Sequence, residues 1–379
     1  MSLLKEKSRF YTPHRIVSTG ADYCMIIGER SNGKTTGCLA YALEKHVESG
    51  YLDQLAIVRR WEDDFKGKNS ERMLSGLVDL GFVKKYTNNK FNSIYYHASR
   101  WFLCVVDEYG KRTFTQEQPF AYGFAISLQE RYKSTSYSNI RYILFDEFIT
   151  RNYYIPDEFI QFTNLLSTLI RLRDDVIIFM CGNTVNKYCP YFQEMGLTNI
   201  KKMKKGDLDV YKYGESDLTV AVEFSDFPSK SKKSNKYFAF DNPKLQMITS
   251  GAWEIDLYPH LPVKYNRCDI IYWYYIEFDE QVLQCEIIDS KEAGYVFTYI
   301  HRKTTPIKSD TLQLVFTKKQ MLPYNYRTRI NKPFDDIGKK VWYFFKNSKV
   351  FYQDNEVGEV VRNYLIWCNS DENVIKNGF

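Results

Sequence analysis

Gly28-Glu29-Arg30-Ser31-Asn32-Gly33-Lys34-Thr35 places a lysine and a hydroxyl at the end of a loop bounded by two glycines, spaced as G-x-x-x-x-G-K-[ST]. Gly28 and Gly33 allow positive φ, so that successive backbone N–H groups can turn inward around phosphate oxygens. The helix predicted over Thr36–Val47 would add the unpaired donors and dipole of its first turn. In this chemistry Lys34 reaches the β- and γ-phosphates and Thr35 offers its hydroxyl to Mg2+. The predicted phosphate contacts are Gly28, Glu29, Arg30, Ser31, Asn32, Gly33, Lys34, Thr35 and Thr36, with Arg30 adding a cation inside the loop.

Tyr142-Ile143-Leu144-Phe145-Asp146-Glu147 is an apolar run ending in two acids. Beside a phosphate loop, Asp146 would support Mg2+ and Glu147 would orient and activate the attacking water. The run from Val176 to Gly182 ends in Asn183, whose amide can sense the γ-phosphate or that water. Arg171 and Arg173 follow a helical stretch and could meet transition-state charge. Asn186-Lys187-Tyr188-Cys189 lacks the aspartate a guanine reader needs, so ATP is the expected nucleotide.

Positioning these groups requires buried strands. Tyr23–Ile27, Leu55–Arg59, Trp101–Val106, Tyr142–Phe145 and Val176–Cys181 are short, continuous and β-rich, as in a largely parallel sheet covered on both faces. Residues 1–200 therefore read as a three-layer α/β domain. Residues 201–260 read as a connector, with lysine-rich stretches on either side of the apolar segment Leu218–Phe224. Residues 261–379 read as a second α+β domain: strands over Ile270–Phe278, Val282–Ile288 and Tyr295–Ile300, the first two joined by a turn at Asp279-Glu280, then helices over Asp335–Phe345 and Glu356–Cys368.

A chain of 379 residues that is 44% hydrophobic can bury two cores. Eight scattered cysteines without a C-x-x-C pair, and five histidines, speak against a zinc site or a disulfide framework. No apolar stretch approaches a membrane span and MSLLKEKSRF has no signal-peptide character, so a soluble cytoplasmic protein without a membrane partner is expected. Twelve lysines and arginines stand against three acids over residues 301–350. Candidate grips for a phosphate backbone are Lys66 and Lys68, Lys201, Lys202, Lys204 and Lys205, the run from Lys230 to Lys236, and Arg327, Arg329, Lys332, Lys339 and Lys340. Tyr324, Tyr326 and Phe334 among the last group also suit RNA or single strands.

The ordered motifs resemble the DNA-packaging ATPases of small podophages of the phi-29 kind, relatives of the large terminases. The resemblance rests on the opening Phe10-Tyr11-Thr12-Pro13, the loop with Arg30 inside it, and Ile57-Val58-Arg59-Arg60-Trp61. Lys133-Ser134, Leu144-Phe145-Asp146-Glu147-Phe148-Ile149, Tyr154-Ile155-Pro156, Asn164-Leu165-Leu166, Arg171-Leu172-Arg173 and Pro190-Tyr191-Phe192 follow in order. It implies a P-loop ATPase of the additional-strand, catalytic-glutamate type and a second domain of RNase H-like fold that has lost its nuclease activity. It further implies a homo-oligomeric ring, pentameric at the portal vertex of a prohead in the bacterial host cytoplasm, that moves double-stranded DNA with ATP and Mg2+. A packaging RNA scaffolds the motor in that group. By position, Lys34 and Thr35 bind phosphate and metal, Asp146 supports the metal and Glu147 is the catalytic carboxylate. Tyr11 of the opening joins the nucleotide contacts. Arg171 stands where the family has its trans-acting arginine finger, with Arg173 beside it, and Lys133 where a basic residue is offered to the neighbour. Glu62 stands where relatives can present a lysine, leaving that role to Lys66 or Lys68.

A cellular helicase-like or signalling ATPase with a protein-binding second domain would also account for the loop and Asp146-Glu147. A capsid-associated structural protein with a relic loop is disfavoured by the presence of Lys34, Thr35, Asp146 and Glu147 together.

Overall fold

The computed structural model describes residues 11–151, 154–214, 216–226, 253, 258–319 and 323–369. Contacts divide the chain into two compact units, one of Met1–Arg151 with Asp157–Glu254 and one of Asn152–Pro156 with Ile255–Phe379.

The first unit is built on a ten-stranded sheet. Its strands are β1 (Tyr23–Gly28), β2 (Gln54–Arg59), β3 (Ser93–His97), β4 (Arg100–Val106), β5 (Arg112–Thr115), β6 (Ala121–Ala125), β7 (Ile140–Asp146), β8 (Ile177–Asn183), β9 (Leu208–Lys212) and β10 (Thr219–Phe224). The order is β3-β4-β6-β2-β7-β8-β1-β10-β9, with β5 beside β4. From β6 to β10 every neighbour is parallel. Runs such as Cys24-Met25-Ile26-Ile27 are buried throughout, because a central parallel strand has layers on both faces. Helix α1 (Lys34–Glu48) leaves the phosphate loop and α2 (Glu158–Ile170) precedes β8. Strand β8 lies between β1 and β7, so the loop strand and the acid-bearing strand are separated by one additional strand, as the fold reading expects.

The expected connector is different in its first half. Strand β10 pairs in parallel with β1, and β9 covers the outer edge of β10 as an antiparallel partner. Val220, Ala221 and Val222 are buried, and that apolar run gains more by extending the sheet than as a free linker. The first unit therefore runs past residue 200. Lys230 to Lys236 lie outside the described residues.

Among the described residues the second unit has six strands: β11 (Ile270–Phe278), β12 (Gln281–Ser290), β13 (Tyr295–Arg302), β14 (Val315–Thr317), β15 (Tyr326–Arg327) and β16 (Val350–Tyr352). Strands β11, β12 and β13 form an antiparallel meander, while β14 is parallel to β11 and β15 to β14. The order β15-β14-β11-β12-β13 is that of an RNase H-like sheet, with β16 added beside β13. Asp279 and Glu280 take φ of 51° and 62°, the left-handed pair of a tight hairpin. Helices α3 (Asp336–Lys346) and α4 (Asn355–Asn369) follow, and the Tyr364 ring of α4 packs edge-on against Phe278.

Candidate active site

The ends of β1, β7 and β8 converge because their registers are fixed side by side: Gly28 lies opposite Asn183, and Asp146 opposite Cys181. Between them is a cleft of about 270 Å3 lined by Ser31, Asn32, Gly33, Lys34, Thr35, Thr36, Asp146, Glu147, Cys181, Gly182 and Asn183. Ser31 and Gly33 have φ of 59° and 86°, which turns the loop back over the start of α1. A side chain at Gly28 would meet Asn32 and the Ser225 backbone within 3.3 Å, so β10 closes the outside of the loop.

Lys34 is buried, and its Nζ donates to the Glu29 carbonyl at 2.6 Å, Asn32 Oδ1 at 3.1 Å and Asn183 Oδ1 at 3.2 Å. Burial pulls its ammonium down to about 8. Thr35 Oγ1 donates to Asp146 Oδ1 at 2.7 Å. Burial raises the Asp146 carboxyl above its ordinary range, against the pull of Arg59 and of the Thr35 hydroxyl. A hydroxyl and a buried carboxylate are the hard oxygen donors that Mg2+ takes alongside nucleotide phosphates, so the residues present fit that ion. Glu147 follows with φ 59° and a largely exposed carboxylate.

The neighbouring strand supplies two residues that the site reading missed. At the end of β2, Arg59 Nη2 lies 2.9 Å from Asp146 Oδ2 and Nη1 2.7 Å from Glu147 Oε2. Arg60 is buried, donates from Nε to Glu158 Oε2 at 2.9 Å, and from Nη1 and Nη2 to the carbonyls of Glu147 and Phe148. Their adjacency at a strand end was the available signal. Their targets depend on β2 lying next to β7.

The remaining site residues fall into distinct places. Tyr11 does not line the cleft: its hydroxyl donates to Glu223 on β10 at 2.5 Å in the core, so its side chain is an anchor of the opening segment. Glu29 pairs with Lys205, and Arg30 is exposed. Arg171, at the end of α2, donates to the carbonyls of Lys133 and Thr135 at 3.2 and 2.9 Å, which brings Arg171 and Lys133 onto one exposed patch outside the cleft lining. Lys133 pairs with Glu130. Arg173 differs, donating to the carbonyls of Leu169 at 2.7 Å and Ile170 and Ser138 at 3.1 Å, and is committed to its own fold.

Among the basic candidates, Lys66 is held by Glu62 and Asp63, and Lys201 lies over the Tyr188 ring. Lys68, Lys202 and Lys204 are exposed. In the second unit Arg327 pairs with Asp335 and covers the Phe334 ring, Arg329 lies over Trp367, Lys339 pairs with Asp336, and Lys332 and Lys340 are exposed. Arg327 is thus part of the packing that starts α3 rather than an open grip.

A family model described as the Podovirus DNA encapsidation protein (Gp16) matches residues 5–238. The DNA packaging protein of Bacillus phage phi29 is 27% identical over 190 residues, 49% of this chain and 50% of that protein. The DNA packaging protein of Bacillus phage B103 is 28% identical over 216 residues, 55% of this chain and 57% of that protein. The chain spans about half the length of the curated relatives it matches. The solved structure described as the Phi-28 gp11 DNA packaging motor superposes with a TM-score of 0.52 at 19% identity, covering 95% of this chain and 98% of that one, and so shares the fold across both units. With its matched segment holding the loop, both acids and the Asn183 strand, the chain belongs to the podovirus DNA encapsidation protein family.

Proposed function

We propose that this chain is the ATP-hydrolysing subunit of a ring, pentameric in the phi-29 manner, that drives double-stranded viral DNA through the portal of a preformed prohead. One observation carries the reading: a single cleft is lined by Lys34 hydrogen-bonded to Asn183, by Thr35 hydrogen-bonded to Asp146, and by Glu147. The loop N–H groups and Lys34 bind and orient the triphosphate, and Lys34 exchanges its carbonyl and amide partners for phosphate oxygens. Thr35 and Asp146 would hold Mg2+, which neutralises charge on the β- and γ-phosphates when bound. Glu147 orients the attacking water and accepts its proton at a carboxylate oxygen, and Asn183 reports the γ-phosphate to β8. Arg171, with Lys133 beside it, is offered to the site of the neighbouring subunit.

For the second unit we propose a nucleic-acid or portal contact without cutting. Three of its acids have structural roles. Glu277 on β11 pairs with Lys319 at 2.6 Å, Asp279 makes the hairpin turn, and Asp335 caps α3 by accepting from the Gly338 N–H. Lys68, Lys202 and Lys204 are the open cations proposed to grip DNA.

Turnover in isolated chains and in assembled rings tests the reading. Isolated chains should hydrolyse ATP weakly and rings strongly, with Arg171→Ala removing the increase. Equal turnover in both states would overturn it. Duplex DNA binding should also fall steeply with salt, and a flat titration would favour a switch protein over a translocase.

A further inference from the structure

Glu147 has φ 59°, a conformation that is unfavourable for a non-glycine residue and persists only where its surroundings impose it. The imposing group is one guanidinium. Arg60 Nη1 donates to the Glu147 carbonyl at 2.5 Å and Nη2 to the Phe148 carbonyl, so two successive peptides converge on a single planar fork. Nε of the same fork donates to Glu158 Oε2, whose side chain is fully buried, and Glu158 Oε1 accepts from Tyr191 Oη at 2.9 Å. The Phe145 ring lies 5.5 Å beneath the guanidinium.

A buried ion pair is a poor device for stability, since apolar residues of similar volume commonly do as well. It is a good device for direction. None of Arg60, Glu158 and Tyr191 lines the cleft, yet together they dictate the peptide plane from which the Glu147 carboxylate projects. We propose that Arg60, anchored by Glu158 and Tyr191, is a positioning residue for hydrolysis: it sets the aim of the Glu147 carboxylate without touching nucleotide. This inference rests on Glu147 being the water-activating group.

Arg60→Lys keeps the charge but cannot serve two carbonyls and a carboxylate in one plane. Expected in the assembled ring is a 10- to 100-fold fall in kcat with KM and the affinity for a non-hydrolysable ATP analogue within about twofold. Tyr191→Phe, which removes one hydrogen bond to Glu158, should lower kcat several-fold with the same split. Glu147→Gln is the control. If it retains turnover, the functional reading of Glu147 fails and this inference with it. If Glu147→Gln is inactive while folded Arg60→Lys turns over at the wild-type rate, or loses nucleotide affinity in proportion to kcat, Arg60 is not a positioning residue. Should Arg60→Lys fail to fold, Tyr191→Phe decides: an unchanged kcat overturns the proposal.

Discussion

Arg59 Nη1 lies 2.7 Å from Glu147 Oε2 while its Nη2 reaches Asp146, so one guanidinium is the counter-charge for both acids of the site. Arg59→Ala would leave two adjacent carboxylates facing each other. The expected result without metal is a loss of about 2 kcal/mol. Added Mg2+ should then recover more stability in the variant than in the wild type. Thermal melts with and without Mg2+ measure both, and an equal metal response would show that Arg59 does not balance this pair.

Arg171 and Arg173 stand two positions apart and should respond oppositely to truncation. Arg173 donates to carbonyls of its own helix end and of the segment entering β7, so Arg173→Ala should cost about 2 kcal/mol in a chemical denaturation curve. Arg171→Ala should lose ring-stimulated turnover with the denaturation midpoint nearly unchanged. Matching stability losses for the two variants would contradict this division.

Gly37 offers a test of the opening segment. In a free helix alanine would be better than glycine by about 1 kcal/mol. Here a Cβ at Gly37 would come 2.1 Å from the Tyr11 carbonyl oxygen, a backbone atom with little room to yield. Gly37→Ala should therefore destabilise by about 2 kcal/mol. A higher denaturation midpoint would mean that the Tyr11 carbonyl does not lie against the helix at Gly37.

His301 and Glu286 give the second unit a pH dependence. The hydrogen bond to Glu286 raises the His301 imidazole above its ordinary range, against burial. Burial would push Glu286 up, but hydrogen bonds from His301, Tyr265 and Gln284 outweigh it and hold the carboxyl low. The His301 contribution is full below about pH 6.5 and is lost as pH rises through the raised value; the Glu286 contribution is present above about pH 4.5 and is lost as pH falls through the lowered one. Stability should decline as pH rises from about 6 through the raised His301 value, and His301→Gln should flatten that slope. Histidine-selective NMR over the five histidines would follow the titration directly.

The loop, the Asp146-Glu147 strand and the Asn183 strand were legible because each is a continuous local pattern. The hairpin turn at Asp279-Glu280 and helices α1 to α4 were legible for the same reason, within a few residues at their ends. What depends on distant partners was hidden. Nothing near Val220 says that it will lie against Tyr23, or that Tyr11 will donate to a glutamate 212 residues away. Arg59 and Arg60 were visible as a motif, but their work follows from β2 being the neighbour of β7, a property of topology. That Arg327 lies over Phe334 and pairs with Asp335 was equally hidden, because basic composition alone does not tell an open cation from one with partners in its own fold.

Helix α2 begins at Glu158, bolted to the turn that carries Glu147, and ends where Arg171 caps it. Thirteen helical residues form a rod about 20 Å long. A tilt of roughly 3° at the bolted end would sweep the Arg171 end by about 1 Å over that length, enough to make or break a hydrogen bond. If Arg171 serves the neighbouring site as proposed, the stiffness of this one helix sets how far the state of one site is felt at the next.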